Sequence, residues 1–252
     1  MGGAGSLKME NDLLEIAIAN LIDHSETVIK ALGSTGSISL VLWANPHRFN
    51  IPYANAITTG GADRADGQFE AIASFIESNP GNTSIGVQDS YSNLDLKPLG
   101  FEVFFSTPWS VRQPDPIESP RPGGLVITRV ETPEALDEFD RAAALGFGSI
   151  DFETVFAPGL LEDEHERFYF GRIGGEIITG VNSFTHGGVV GIYTLFTLPA
   201  FRRNGFAESL VAAALSASPE LPATTNPGDM SDALFSRLGF RHVGTRTIWD
   251  LK

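Results

Sequence analysis

Tyr193-Thr-Leu-Phe-Thr-Leu-Pro-Ala-Phe-Arg-Arg-Asn-Gly-Phe-Ala-Glu-Ser-Leu-Val-Ala-Ala-Ala-Leu215 is the stretch whose reading decides the fold. Its first part alternates apolar residues as a strand does, and Pro199 turns a corner. Phe206, Leu210, Val211 and Ala214 then share one side of a helix. Between strand and helix lies a short basic loop. A helix start leaves backbone N–H groups unpaired at the positive end of the helix dipole. Arg202, Arg203, Asn204, Gly205, Phe206 and Ala207 are therefore suited to hold an anion such as a pyrophosphate. Gly205 and Ala207 keep bulk away from such a ligand, and Gly205 admits a backbone turn closed to other residues.

The loop lacks the Lys-Ser/Thr ending of a P-loop and does not match the three-glycine dinucleotide fingerprint. Its spacing of Arg202, Gly205 and Ala207 resembles the acyl-CoA signature of the GNAT N-acetyltransferase superfamily. Leu195, Thr197 and Pro199 stand where that family has an apolar, a β-branched and a proline residue. A second feature follows at the expected distance: Ser231 to Phe240, ending Leu-Gly-Phe, is similar to the last helix of GNAT domains. The resemblance implies an α/β (α+β) fold, a mixed and mostly antiparallel sheet flanked by helices, over about Gly124 to Lys252. It also implies acetyl-CoA as acyl donor. The pantetheine arm would lie along the main chain of Phe196, Thr197 and Leu198, with Asn226, Ser231 and Phe235 bordering the site.

Composition narrows the setting. The hydrophobic share of 42% is that of an ordinary globular protein, and no apolar run approaches the roughly 20 residues needed to cross a membrane. There is no cysteine, hence no disulfide, thiolate nucleophile or thiolate metal site, in keeping with the cytoplasm. A formal charge of -14 argues against nucleic acid as a partner and in favour of a cationic small molecule. Residues 1–10, rich in glycine, read as a flexible leader.

The two halves of the chain echo one another. Leu99-Gly100-Phe101, with Trp109 beyond, mirrors Leu238-Gly239-Phe240, with Trp249 beyond. Arg64, Gly67 and Glu70 mirror Arg202, Gly205 and Glu208, and the two offsets, 139 and 138 residues, nearly agree. The chain thus resembles a tandem GNAT protein with a degenerate copy over 11–112, a Pro-rich linker over 113–123 and the acyl-CoA-binding domain over 124–252. In the first copy Phe69 stands for Ala207 and Asp66 puts a negative charge where phosphate would lie, so that copy is expected not to bind CoA.

In the first half, Glu10 to Gly33 reads as one broken or two short helices. Ser37–Trp43, Pro52–Thr58, Thr83–Val87 and Phe101–Val111 read as strands. Ala65–Ser78 and Leu94–Leu99 read as helices. In the second half Thr132 and Pro133 start a helix burying Leu136, Phe139 and Ala143, and Gly174-Gly175 joins two strands in a hairpin.

The resemblance implies transfer of an acetyl group to an amine, here of a small molecule. The alternatives are acyl-CoA binding without turnover and transfer to a protein lysine or N-terminus. Many family members use a tyrosine in the last helix to protonate the leaving thiolate; that position is Phe235, which cannot. Ser231 is then the candidate near the sulfur and Tyr193 the candidate base, each weighed against an ordinary packing or capping role. Asp151, Glu153, Glu162, Asp163, Glu164 and Glu166 form an acidic segment that would attract an ammonium or simply be solvated. His186 reads as a turn residue, and His165 has no second histidine at ligand spacing, so no metal is expected.

Overall fold

A computed structural model of the chain describes residues 3–47, 54–81, 85–117, 122–148 and 155–251, with side chains from Asp12 onward. In chain order the elements are α1 (Gly3–Ala31), β1 (Ser37–Ile38), β2 (Leu42–Ala44), β3 (Ala56–Thr58), α2 (Ala65–Glu77), β4 (Gly86–Asp89) and β5 (Phe101–Arg112). There follow β6 (Val126–Arg129), α3 (Pro133–Phe147), β7 (Glu166–Ile173), β8 (Glu176–His186), β9 (Val189–Thr197), α4 (Phe206–Leu215), β10 (Ala223–Thr225), α5 (Asp229–Arg237) and β11 (Arg241–Leu251). They form two α/β units. One comprises Met1–Ser110, Asn226–Met230 and His242–Lys252; the other comprises Val111–Thr225 and Ser231–Arg241. The division therefore does not fall at a single point in the sequence, because the C-terminal strand belongs to the first unit.

In the first unit, β2 lies antiparallel to β1 and β3, β3 parallel to β4, and β4 antiparallel to β11 through Val87–Trp249 and Asp89–Thr247. Ile72 of α2 packs with Leu42, Ala56, Ile85, Val87, Leu96, Phe101 and Trp249 in its core. Several local expectations change here. The helix predicted as broken is continuous and begins within the stretch read as a leader. No proline or glycine interrupts it between Gly5 and Gly33, and Leu14, Ile18, Leu21, Ile22, Val28 and Ile29 bury one side. Ser37–Trp43 is two short strands rather than one. The Ser39 hydroxyl accepts the N–H groups of Val41 and Leu42, and that side-chain bonding favours a turn over a ladder. The predicted helix at Leu94–Leu99 is a 3-10 turn, Lys97–Leu99, closed by Gly100 at φ +90. Residues 52–53 and 83–84 of two predicted strands lie outside the described residues; what is described there is β3 and β4.

In the second unit the order is β10-β9-β8-β7-β6, a meander of antiparallel neighbours from β6 to β9 with β10 added in parallel. The Thr132 hydroxyl accepts the Ala135 N–H and so caps α3, with Pro133 next; Gly174 and Gly175, at φ +58 and +90, make the two-residue turn between β7 and β8. One face of this sheet carries α3. Phe139 stacks edge-on against Phe156, Phe168 and Phe196 at 5.9, 5.2 and 5.4 Å, contacts that each add about 0.5–1.5 kcal/mol beyond burial. The other face carries α4, whose Leu210, Val211, Ala214 and Leu215 pack with Val181, Val190, Ile192, Phe235, Leu238 and Phe240. Arg112 ties the proline-rich stretch down: its guanidinium donates to the carbonyls of Leu238, Gln113, Asp115 and Pro116. Among the described residues no helix is long and apolar enough to cross a membrane.

Candidate active site

β9 carries an irregularity that opens the sheet. Ser183 faces Ile192 and Asn182 faces Tyr193, but Gly180 faces Phe196, so β9 contains one residue more than β8 between these pairs. Thr194 stands in this bulge at φ +44, a left-handed conformation that a β-branched residue adopts only under constraint. On the other edge, β9 pairs with β10 at Val190–Ala223 and Gly191–Thr224. The Thr225 hydroxyl donates to the Ile192 carbonyl, and among the described residues no ladder pair joins the two strands beyond that level. Past Ile192 the ladder between the two strands ends, which leaves a slot beside the bulged segment. At the end of such a ladder an extended amide-bearing chain can pair as an added strand does.

At the end of the slot lies the basic loop. A 3-10 turn, Pro199–Phe201, leads into Arg202, and Arg203 and Gly205 follow at φ +65 and +79. The Arg202 guanidinium donates to the Thr197 carbonyl at 3.0 Å and the Gly146 carbonyl at 2.8 Å, binding the loop to the end of β9 and to α3. The Asn204 amide closes the loop by donating to the carbonyls of Phe201 and Arg202, both at 3.1 Å. Gly205 is the N-cap of α4 and supplies no side-chain acceptor, so the first-turn N–H groups are left for another partner. Glu208 in that turn would repel an anion, but its carboxylate lies 3.7 Å from the Arg237 guanidinium, which offsets the charge.

Residues 133–240 match the sequence model of the acetyltransferase (GNAT) family. That segment is a GNAT acetyltransferase domain. Solved structures agree on the fold. A GCN5-related N-acetyltransferase from Kribbella flavida superposes with a TM-score of 0.64 at 16% identity, over 90% of this chain and 93% of its own. A putative GNAT-family acetyltransferase from Novosphingobium aromaticivorans gives 0.56 at 19%, over 89% and 96%. A functionally unknown conserved protein from Staphylococcus epidermidis gives 0.61 at 11%, over 86% and 94%. No curated protein matches the sequence. Acetyl transfer from acetyl-CoA is general for the GNAT family.

Within the GNAT domain the expected residues take different parts. Thr197 and Leu198 are half-buried, whereas the Phe196 ring is core, 3% exposed. Part of the main chain expected to meet pantetheine is already engaged: the Phe196 carbonyl accepts the Thr179 hydroxyl at 2.6 Å, the Thr197 carbonyl accepts from Arg202, and the Leu198 N–H donates to the Ile178 carbonyl. Arg203 and Asn204 are exposed, Gly205 and Ala207 half-buried, and Phe206, the first residue of α4, is buried. Phe235 is 2% exposed and stacks edge-on against Phe240 at 5.1 Å; a core aromatic, it has no proton to give. Ser231 and Tyr193 are half-buried, and Tyr193 faces Asn182 across the sheet. Thr224 Oγ1 and, just after β10, Asn226 Nδ2 are buried polar atoms without a hydrogen-bond partner. Such atoms are rare in folded proteins; Thr224 belongs to the second unit and Asn226 to the first.

The acidic segment divides too. Asp151 and Glu153 lie outside the described residues, Glu162 and Glu164 are exposed, and Asp163 accepts the His165 N–H. Glu166 is 2% exposed, accepts from the Asn182 amide at 2.7 Å, and borders a cavity of about 200 Å³ lined also by Arg129, Val130, Glu131, Leu161 and Phe168. His165 does meet a second histidine, His186, their rings 4.8 Å apart, because β7 and β8 pair where the sequence separates them. Among the described residues no group of three potential metal ligands forms. Sequence reasoning passed over Asp140, which lies on the buried side of α3 and is 3% exposed. One of its oxygens, Oδ2, accepts the N–H groups of Val155 and Phe156, both at 3.0 Å. Burial pushes its carboxyl up to about 6, against the lowering effect of those two N–H groups, and the charge of Asp137 adds to the rise. The signal was legible: Asp140 falls four residues after Leu136 and one after Phe139, inside the apolar stripe.

Proposed function

We propose that the GNAT domain transfers the acetyl group of acetyl-CoA to an amine nitrogen of a small molecule. The observation that carries this reading is the bulge at Thr194, with the slot beyond Ile192 and the uncapped α4 start at its end. The loop would take the pyrophosphate, the slot the pantetheine amides, and an N–H of the bulged segment the thioester oxygen. A neutral amine adds to the carbonyl carbon, having left its extra proton to solvent. The carbon–nitrogen bond forms, the oxygen gains the charge, and that charge is held by the main-chain donor. Collapse breaks the carbon–sulfur bond, the sulfur leaves as thiolate with the bonding pair, and the second nitrogen proton passes to solvent. A thiol with an ordinary pKa of about 8.5 departs as thiolate at neutral pH, so the absence of a phenol at Phe235 does not block turnover. The net charge of -14 suits a cationic acceptor better than a nucleic acid.

Binding without turnover is the second reading, favoured by the burial of Phe235. We read the first unit as a partial copy that does not take CoA. Gly100 and Gly239 hold the same left-handed turn, at φ +90 and +86, which supports duplication, whereas Gly67 lies inside α2 and Gly205 caps α4. At the end of β3 and β4, Ser90 N–H donates to the Thr58 hydroxyl at 2.8 Å and Ser90 Oγ to the Thr58 carbonyl at 2.7 Å, where a slot would need to open.

The test is a thermal shift with acetyl-CoA, followed by thiol release over a panel of primary amines. A ligand at about 100 times its dissociation constant adds roughly 2.7 kcal/mol. A shift in the wild-type protein that is absent in Ala207→Glu, together with amine-dependent thiol release, supports acetyl transfer. A shift without turnover on any amine supports the binding reading. No shift under saturating ligand removes both.

A further inference from the structure

Asn182 is 0% exposed in β8, between two strands of the sheet. Its Nδ2 donates to the Glu166 carboxylate at 2.7 Å and lies 3.4 Å from the Arg167 carbonyl. Both are acceptors only, which fixes which end of the amide is nitrogen. Oδ1 therefore points away from Glu166, and it is buried with no hydrogen-bond partner. Leaving a carbonyl oxygen so placed costs about 1–3 kcal/mol, and folded proteins retain few such groups without a ligand or water to satisfy them.

The position of Asn182 gives this oxygen a direction. Asn182 is paired with Phe168 on one side and Tyr193 on the other, and directly opposed residues project from the same face. Phe168 packs against Phe139 of α3, so Asn182 and Tyr193 lie on the α3 face, opposite the face covered by α4. Tyr193 is half-exposed and is the residue immediately before Thr194 of the bulge. Resting on the reading of the GNAT domain as an amine acetyltransferase, we propose that Asn182 Oδ1 accepts an N–H of the acceptor amine and holds it beside the bulge. Glu166 is the positioning residue: by accepting from Nδ2 on the β7 side it keeps the oxygen end of the amide toward β9. The amine reaches this oxygen past the half-buried Tyr193 ring, which must turn to admit it.

The test reads the Asn182 amide itself. Protein carrying ¹⁵N-asparagine is saturated with CoA and titrated with n-butylamine and 1,4-diaminobutane, and n-butanol serves as the matched control; Asn182→Ala assigns the signal. A saturable shift of the Asn182 Nδ2 hydrogens with an amine and not with the alcohol is expected. No shift with either amine, or the same shift with butanol, overturns the proposal and leaves a water as the partner of Oδ1. Where an amine turns over, Asn182→Ala should raise its KM about tenfold or more. Glu166→Ala should do the same and Glu166→Gln, which still accepts from Nδ2, should restore it. The acetyl-CoA thermal shift stays in all three variants. Loss of that shift in the wild type would instead remove the acetyl-CoA reading.

Discussion

Replacing Asp140 with asparagine should remove a pH-dependent part of the stability of the second unit. The Asp140 carboxyl ordinarily titrates at 3.8 and in the fold at about 6. A folded value above the unfolded one means that the fold binds the proton more tightly. The contribution is complete below pH 3.8 and is lost as pH rises through 6. The difference of about two pK units at 1.36 kcal/mol each gives roughly 3 kcal/mol. Asparagine has the same shape and does not ionise, and its Oδ1 can take the place of Oδ2 before Val155 and Phe156. The variant should therefore gain up to about 3 kcal/mol over wild type between pH 4 and 7.5. Asp140→Ala also removes the charge but leaves two N–H groups unpaired at about 1–3 kcal/mol each, so it should fall below Asp140→Asn at every pH. Tryptophan fluorescence is the wrong probe, since Trp43, Trp109 and Trp249 all belong to the first unit. Hydrogen exchange of α3 and of the Val155 and Phe156 amides, run in urea at both pH values, reads the relevant unit. A variant-minus-wild-type difference that stays constant within about 0.5 kcal/mol across that range would refute the argument, because every other titrating group cancels in it.

Three further substitutions test the site's construction. Gly146→Ala brings a Cβ to 2.8 Å from Phe196 Cβ and 2.9 Å from its Cδ2, so unfolding should become easier by about 1–3 kcal/mol. Acetyl-CoA affinity should fall with it, because Gly146 also anchors Arg202. Thr194→Gly relieves the left-handed strain, so urea denaturation should show stability unchanged or raised by up to about 1 kcal/mol while turnover drops, the bulge being less fixed. Arg202→Lys keeps the charge but cannot reach both the Thr197 and Gly146 carbonyls as a planar fork does. Its acetyl-CoA thermal shift should shrink nearly as much as that of Arg202→Ala; equal shifts in Arg202→Lys and wild type would make the residue a simple counter-charge.

What the sequence disclosed and what it withheld divide along one physical line. Short-range patterns were legible: the apolar spacing of α3 and α4, the Thr132-Pro133 helix start, the Gly174-Gly175 turn and the basic loop follow from propensity and capping within a few residues. The part of the site that depends on register was not. An extra residue in β9 exists only relative to β8, and nothing in Tyr193-Thr194-Leu195 marks it, since threonine is a poor choice for φ +44. The same holds for Glu166 and Asn182, brought together because Phe168 pairs with Asn182 across β7 and β8. Glu166 looked like one more solvated acid, and its burial could be read only once the strand had a neighbour. Arg202 shows the converse. The motif marks it as essential, but its bonds to Thr197 and Gly146 make it a support of the loop that leads into the uncapped first turn of α4. A motif of this kind records which residues a backbone geometry requires, and the groups that meet the ligand need not be among them.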